Sequence, residues 1–547
     1  MQLADRDVSR EAAPVWRTPF GWLSLLAAVF FASWALRGVE PGGIVWTDSA
    51  RHAMNGALIH DWLREGPWLA PGTYARWYYA HWPALSLGYH PPVFPAVESL
   101  AFLVVGVGPF GARLVVALAT GVSVVLLYRL VLATHGSPLV ALLVASGFFA
   151  LPLAQSLAQH VMLEMPAFVF VLLALLALPR PGEPLTALRG ATFALFTAAA
   201  IWTKQLSVFL AAVPVVFAVL AGRREWLRSR VLWGSVIFCG VAFLALTAFE
   251  LAFGPASPRR FAILRGLPRV LTSNSRVYFD ALFATRNIAV TGTVVVLAAI
   301  AVTYRRRWRA FVAADALYWA WLIAVMAALM VGKWNSPRYL FFAFPPIVAL
   351  VVVNAHRFLS VAVSPRGAAV VLTIGIAAAS VLGLRRAPSE LIGPSEAARI
   401  VAADHPTRVL YAGESDGQFS FELRSATGST NAVVIRGERL PGATYSAAAF
   451  EDFAARYGVT HVVLERIERF GIMPWTALIA APSPSMVALK EIPVSGYRSG
   501  TLHLYRFTGR AAERLNVLRM SGDETDRRTV ELDWTAPTWR TAGSLNP

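Results

Sequence analysis

The sequence predicts a mainly α, polytopic membrane bundle of about eleven spans with juxtamembrane helices, followed by a small extracytoplasmic α/β domain. Three observations carry this. The chain of 547 residues is 56% hydrophobic and 15% charged, with a mean hydropathy of +0.54, whereas soluble domains carry about 25% charged residues. Runs such as Val231 to Ala252 and Phe311 to Val331 are almost free of charge and have the length, about twenty residues, that crosses a bilayer core as a helix. After Leu384 the pattern changes to charged sequence punctuated by Pro and Gly, with short alternating runs at Arg408 to Ala412, His461 to Glu465 and Thr501 to Phe507 that read as strands.

The elements follow in order from the first apolar run, Phe20 to Leu36, which lacks a small-residue cleavage site behind it and is expected to be retained. Short cytoplasmic loops retain Lys and Arg. Arg6, Arg10 and Arg17, then Arg223, Arg224, Arg228 and Arg230, then Arg305, Arg306, Arg307 and Arg309 therefore face the cytoplasm, and residues 37 to 92 face outward. Val93 to Val107 is apolar but short, carries Glu98 and Pro95, and would invert both later arginine clusters if it spanned, so it is expected to lie beside the membrane. The remaining spans fall at roughly 112–133, 138–156, 164–178, 188–201, 205–221, 231–252, 287–303, 310–331, 338–356 and 366–384. The chain thus divides into a membrane domain at 1–387 with an outer loop at 37–110, an α/β domain at 388–508, and a polar tail at 509–547 with the composition of a disordered segment. The net charge of +17 would suggest nucleic acid in a soluble protein, but the arginines cluster in loops between spans and argue against it. The lone Cys239 excludes an internal disulfide.

This topology, set without reference to chemistry, puts Asp48, Glu164, Lys204 and Arg338 at one face. Asp48 lies in Trp46-Thr47-Asp48-Ser49, just beyond the first span, where residues 49–64 can continue as an amphipathic helix in the interface. A carboxylate there can accept the proton of an attacking hydroxyl. It can equally cap that helix or pair with Arg51. His90, in Gly88-Tyr89-His90-Pro91-Pro92, could face Asp48 and orient it. Glu164 at a span boundary is costly without a partner, although an acid followed by Pro166 also suits a helix N-terminus. Arg259, Arg260, Arg265, Arg269 and Arg276 make an outward loop basic against the usual charge asymmetry, which suggests either a phosphate partner or anionic headgroups. The aromatics Trp62, Trp68, Tyr74, Trp77, Tyr78, Tyr79 and Trp82 suit a membrane-interface belt. His52, His60, His81 and His90 share the outer loop without a metal-ligand spacing, and no obligatory metal or other cofactor is expected.

An Asp shortly after the first span, a Pro-Pro pair opening a short helix, and Phe110-Gly111-Ala112-Arg113-Leu114 resemble the N-terminal half of the GT-C superfamily, and most of all its protein O-mannosyltransferase and aminoarabinose transferase type. Met162-Leu163-Glu164-Met165-Pro166 stands where that family carries a second acid. Trp202-Thr203-Lys204 resembles its Thr-Lys turn, and Ser336-Pro337-Arg338-Tyr339-Leu340 its late Arg-Tyr motif. The resemblance covers roughly residues 20 to 384. It implies a membrane glycosyltransferase that displaces a polyprenyl phosphate at the anomeric carbon with inversion. Asp48 would be the base and Glu164 the second acid. A leaving phosphate needs positive charge aimed at its oxygen, which Lys204, Arg338, Arg259 and Arg260 can supply, and His90, Arg51 and Tyr339 complete the candidate substrate residues. The acceptor would be a lipid, protein or glycan outside the cell inner membrane. The chain departs from the family at Ser49, where a Glu is usual, at His52, near a usual Tyr, and at His90, near a usual Lys. A flippase or transporter is the rival reading; it predicts polar residues at the membrane midplane, where these spans have almost none.

Overall fold

The computed structural model describes residues 18–38, 47–86, 88–180, 183–253, 267–283, 312–332, 336–384, 391–428, 430–467, 473–496, 499–520 and 530–535. Helix α1 (Pro19–Ala35) starts on a capping Thr18, whose hydroxyl accepts from the Gly21 N–H at 3.0 Å, with Pro19 at the position where a missing N–H costs nothing. Three helices follow: α2 (Thr47–Glu65), α3 (Pro71–His81) and α4 (Val93–Val105). Helix α5 (Pro109–His135) then runs back along α1. The two backbones come close where Gly121 faces the Ala28 carbonyl, which an added Cβ would meet at 3.2 Å. Arg113, buried at the start of α5, donates to the carbonyls of Ala35, Arg37 and Gly38 at 2.5, 2.6 and 3.2 Å. These include carbonyls that the end of α1 leaves unpaired, so Arg113 fixes where the chain leaves the bundle for α2.

The bundle continues with α6 (Pro138–Phe149), α7 (Pro152–Gln159), α8 (Glu164–Ala177), α9 (Ala187–Ile201), α10 (Val213–Leu220), α11 (Arg230–Phe253), α12 (Leu267–Phe283), α13 (Ala316–Val331), α14 (Phe344–Ala362) and α15 (Pro365–Leu384). The span expected over 138–156 is not one helix: α6 and α7 meet at 66°, because Pro152 has no N–H to give and its ring collides with the preceding turn. The span expected over 205–221 likewise opens as a 3₁₀ segment, Gln205–Ala212, before α10. Among the described residues α5 and α11 are each long and apolar enough to cross a bilayer alone, and α6 with α7 would be a third crossing. The expected span at 287–303 and the arginines at 305–309 lie outside the described residues. Helix α4, at 13 residues, is about 20 Å long, short of a core of about 30 Å. It buries Phe94, Glu98 and Phe102 and exposes Val97, Leu100, Leu103 and Val104, a sidedness that suits the juxtamembrane position.

The C-terminal domain holds a six-stranded sheet of β1 (Leu391–Ile392), β2 (Arg408–Ala412), β3 (Val433–Arg436), β4 (His461–Ile467), β5 (Met486–Gly496) and β6 (Gly500–Phe507), in the order β1-β5-β6-β4-β2-β3. Strand β2 is parallel to both neighbours, and the other pairings are antiparallel. Helices α16 (Pro394–Ala403) and α17 (Asp416–Thr427) cover one face with Val409, Tyr411, Val434 and Val463, while α18 (Ala447–Arg456) covers the other with Leu410, Ile435, Val462 and Leu464. The described part of the polar tail forms a hairpin, β7 (Val517–Met520) with β8 (Val530–Asp533), and the buried Trp534 indole donates to the Ala80 carbonyl at 2.7 Å. Leu518, Met520, Leu532 and Trp534 are buried, so alternate residues supply an apolar face within a segment whose average composition is polar.

Helix α2 is buried along most of its length between α4 and α17. Its small residues Ala50, Ala53, Gly56 and Ala57 permit that approach; at Gly56 a Cβ would run into the Glu98 carboxyl.

Candidate active site

Asp48 occupies the first turn of α2, where the unpaired N–H groups and helix dipole favour an anion. Its Oδ2 accepts from Arg338 Nη1 at 2.9 Å. Arg338 belongs to the 3₁₀ segment Pro337–Phe342 that leads into α14. Across from them Lys204 Nζ lies 2.8 Å from Glu164 Oε1 at the start of α8. The Tyr339 ring sits under both cations, 5.0 Å from Lys204 and 5.2 Å from Arg338, and its hydroxyl accepts from Arg338 at 3.3 Å. A ring face stabilises each cation and holds the two near one another. The pairs differ in access: Glu164 and Lys204 side chains are 0% and 6% exposed, Asp48 and Arg338 38% and 21%. One ion pair is thus a buried support, and the other opens outward.

The strand of chain from 88 to 93 is tied to the end of α9. Gln205 donates to the Tyr89 carbonyl at 3.0 Å, and the Val93 N–H donates to the Trp202 carbonyl at 3.2 Å. This brings His90 to the site, with its ring 4.4 Å from that of His52 on α2. Burial, with the cations nearby, pushes both imidazoles well below 6.5, so both are neutral at pH 7. Burial works against the Asp48 anion, but Arg338, by charge and hydrogen bond, and then Lys204 outweigh it and hold the carboxyl below 3.8.

Glu98 on α4 is a further buried acid. Burial raises its carboxyl well above 4.5, and neither oxygen has a hydrogen-bond partner among the described residues. A proton retained in the folded chain but lost in the unfolded one lowers stability as pH rises above 4.5. Glu98→Gln is therefore expected to raise the thermal midpoint at pH 8 and to leave it unchanged at pH 4. Equal midpoints at both values would mean that Glu98 is ionised and paired.

The structure brings together Asp48, Glu164, Lys204, His90, Arg338 and Tyr339. It pairs Asp48 with Arg338 and not with Arg51, which instead lines a cavity shared with the C-terminal domain. Arg259 and Arg260 lie outside the described residues. Arg276 is exposed on α12 and faces Asp280 at 3.8 Å. His52 is nearer the site than its sequence context singled out. The missed feature is the docking of the C-terminal domain. Buried Arg424 on α17 donates to both Asp61 oxygens on α2 at 2.6 and 3.0 Å, and Tyr78 and His60 lie 2.8 Å from the same carboxylate. Ser425 donates to the Val107 carbonyl at 3.0 Å and Thr430 to Glu65 at 2.9 Å. The partners are more than 300 residues apart, and no local pattern marks them.

The helical bundle, with α2 to α4 packed under a C-terminal α/β domain, has the GT-C fold. Residues 89–248 match the family described as dolichyl-phosphate-mannose-protein mannosyltransferase. None of the curated proteins matches the chain. Among solved structures, ArnT from Cupriavidus metallidurans bound to undecaprenyl phosphate is similar with a TM-score of 0.53 and 16% identity, over 90% of this chain and 98% of that one. The same protein in the apo state gives 0.50 and 16%, over 88% and 98%. The archaeal oligosaccharyltransferase AglB from Archaeoglobus fulgidus, with an inhibitory peptide and a dolichol-phosphate, gives 0.44 and 13%, over 81% and 69%.

Proposed function

We propose that this chain is an inverting glycosyltransferase that takes a sugar from a polyprenyl-phosphate donor to a lipid, protein or glycan acceptor at the outer face of the membrane. The observation that carries the reading is the open Asp48–Arg338 pair beside Lys204. A base and two cations are what the displacement needs. Asp48 takes the proton of the acceptor hydroxyl as its oxygen bonds to the anomeric carbon. The bond from that carbon to the phosphate oxygen breaks on the opposite side, and the electron pair leaves with the phosphate. Arg338 and Lys204 stabilise the charge that develops there. Glu164 and Tyr339 hold Lys204 in place.

The pairing with Arg338 makes Asp48 a weak base. A donor phosphate would compete for the guanidinium and leave the carboxylate free to take a proton, so that donor binding itself activates the base. The family match and the shared fold support the reading.

The test is to give membranes containing the chain a panel of labelled polyprenyl-phosphate sugars, with soluble nucleotide sugars as controls. Transfer from one lipid donor is the expected result; transfer from none would return the chain to the flippase reading. The pH profile is a second test. Because Asp48 is held below 3.8 and both histidines well below 6.5, kcat/KM is expected to pass through pH 6.5 without a break. A break near 6.5 would make a histidine the base.

A further inference from the structure

In the C-terminal domain the chain passes from β2 through α17 to β3, then through α18 to β4 on the far side of β2. Because α17 and α18 cover opposite faces of the sheet, the segments leaving the C-terminal ends of β2 and β3 part in opposite directions. A crevice opens at such a point in an open α/β sheet, and ligands of these sheets bind there. Here it is a cavity of about 460 Å³, within the range of roughly 300–1,000 Å³ of small-molecule sites. Gly413 and Gly437 end the two strands. At Gly437 a Cβ would meet Ala412 Cβ at 2.6 Å and the Tyr445 hydroxyl at 2.7 Å, so a larger residue would force the packing apart.

The lining defines a ligand. Arg436 lies between two carboxylates, 2.9 Å from Asp416 and 2.5 Å from Glu438, and Glu414 adds a third acid. Glu438 Oε2, and Arg51 Nε across the cavity on α2, have no hydrogen-bond partner among the described residues. The Tyr445 hydroxyl donates to the Gly437 carbonyl at 2.6 Å and the Trp475 indole to the Glu465 carbonyl at 2.7 Å, which fixes two flat rings at the wall. Three carboxylates against two guanidiniums disfavour an anion such as a lipid phosphate. A sugar ring matches the set: its hydroxyls donate to carboxylates and accept from guanidinium, and its C–H face packs on an aromatic ring.

We propose that this cavity binds a saccharide and is the acceptor subsite of the transferase. Arg51 stands one turn beyond Asp48 on the same side of α2, where Cβ atoms three residues apart are about 5–6 Å from one another. A sugar held between the domain and Arg51 therefore has its edge toward the proposed base. The acceptor assignment rests on the glycosyl-transfer reading; the saccharide site does not.

The experiment uses the full chain in lipid nanodiscs, with methyl glycosides and disaccharides of glucose, galactose, mannose and arabinose as probes, and saturation-transfer NMR as the readout. At least one probe is expected to bind, Glu438→Gln to raise its Kd about tenfold or more, and undecaprenyl phosphate to bind this variant as it binds the native chain. Arg51→Gln, which alters the cavity from the membrane domain, is expected to weaken the same probe and stands in if Glu438→Gln fails to fold. Binding by no probe, binding that neither variant weakens, or displacement of the sugar by equimolar spermidine would overturn the site. Saccharide binding that depends on Glu438 in a chain that uses no lipid donor would keep the site and remove the transferase reading.

Discussion

Asp48→Asn is expected to lower sugar transfer by about 10²–10⁴-fold, the range a positioned general base contributes, while undecaprenyl phosphate binds as tightly as before or tighter. The amide keeps the shape of the side chain, and its carbonyl can still accept from Arg338, but it cannot take a proton. It also releases part of the hold on Arg338, whose guanidinium is then freer to meet a phosphate. Glu164→Gln should behave differently. It leaves Lys204, only 6% exposed, without a charged partner, so its loss should fall on protein stability and donor affinity together. Transfer by Asp48→Asn at the native rate would take the base role from Asp48, whatever donor is used.

The second large effect is expected at Asp61. Its carboxylate and the Arg424 guanidinium are 2% and 5% exposed, and truncating one partner of a buried pair strands the other charge, at a cost of about 3–5 kcal/mol. Asp61→Ala should therefore undock the C-terminal domain from α2, seen as a lower thermal midpoint and rapid tryptic cleavage within α17. Replacing both residues, Asp61→Leu with Arg424→Met, should recover most of the loss, because an apolar pair of similar volume needs no desolvation. Burial disfavours the Asp61 anion, but the hydrogen bond from His60 and then Arg424 and Tyr78 hold it below 3.8. Its contribution is thus present above that value and lost as pH falls through the lowered one. A double variant as unstable as Asp61→Ala would assign the cost to packing and not to charge.

Much of the site was legible because its residues obey a rule that acts along the chain. Charge asymmetry sorts loops to one side or the other, so Asp48, Glu164, Lys204 and Arg338 could be assigned a common face before any contact was known. Their pairing was not legible: Asp48 has Arg51 one turn away, yet it binds Arg338, 290 residues on, because Arg51 turns to the cavity. Helix breaks at Pro152 and over Gln205–Ala212 were hidden for a related reason. Hydropathy averages over a window and does not register where a backbone bends inside it. The tail from Gly509 shows the converse, since Leu518, Met520 and Leu532 in two short strands, with Trp534 just beyond them, give a segment of polar composition an apolar face.

The hold of α17 on α2 bears on how such proteins can be recombined. By composition the chain divides near residue 387, and a chimera would be cut there. The surface that must travel with the C-terminal domain, however, includes Asp61, Glu65, Ala80 and Val107, all before α5. The exchangeable module is discontinuous: the outer loop and the distal domain form one unit, and the long apolar helices between them form another. Substrate preference in chimeras should follow the loop and the domain only when both come from the same parent.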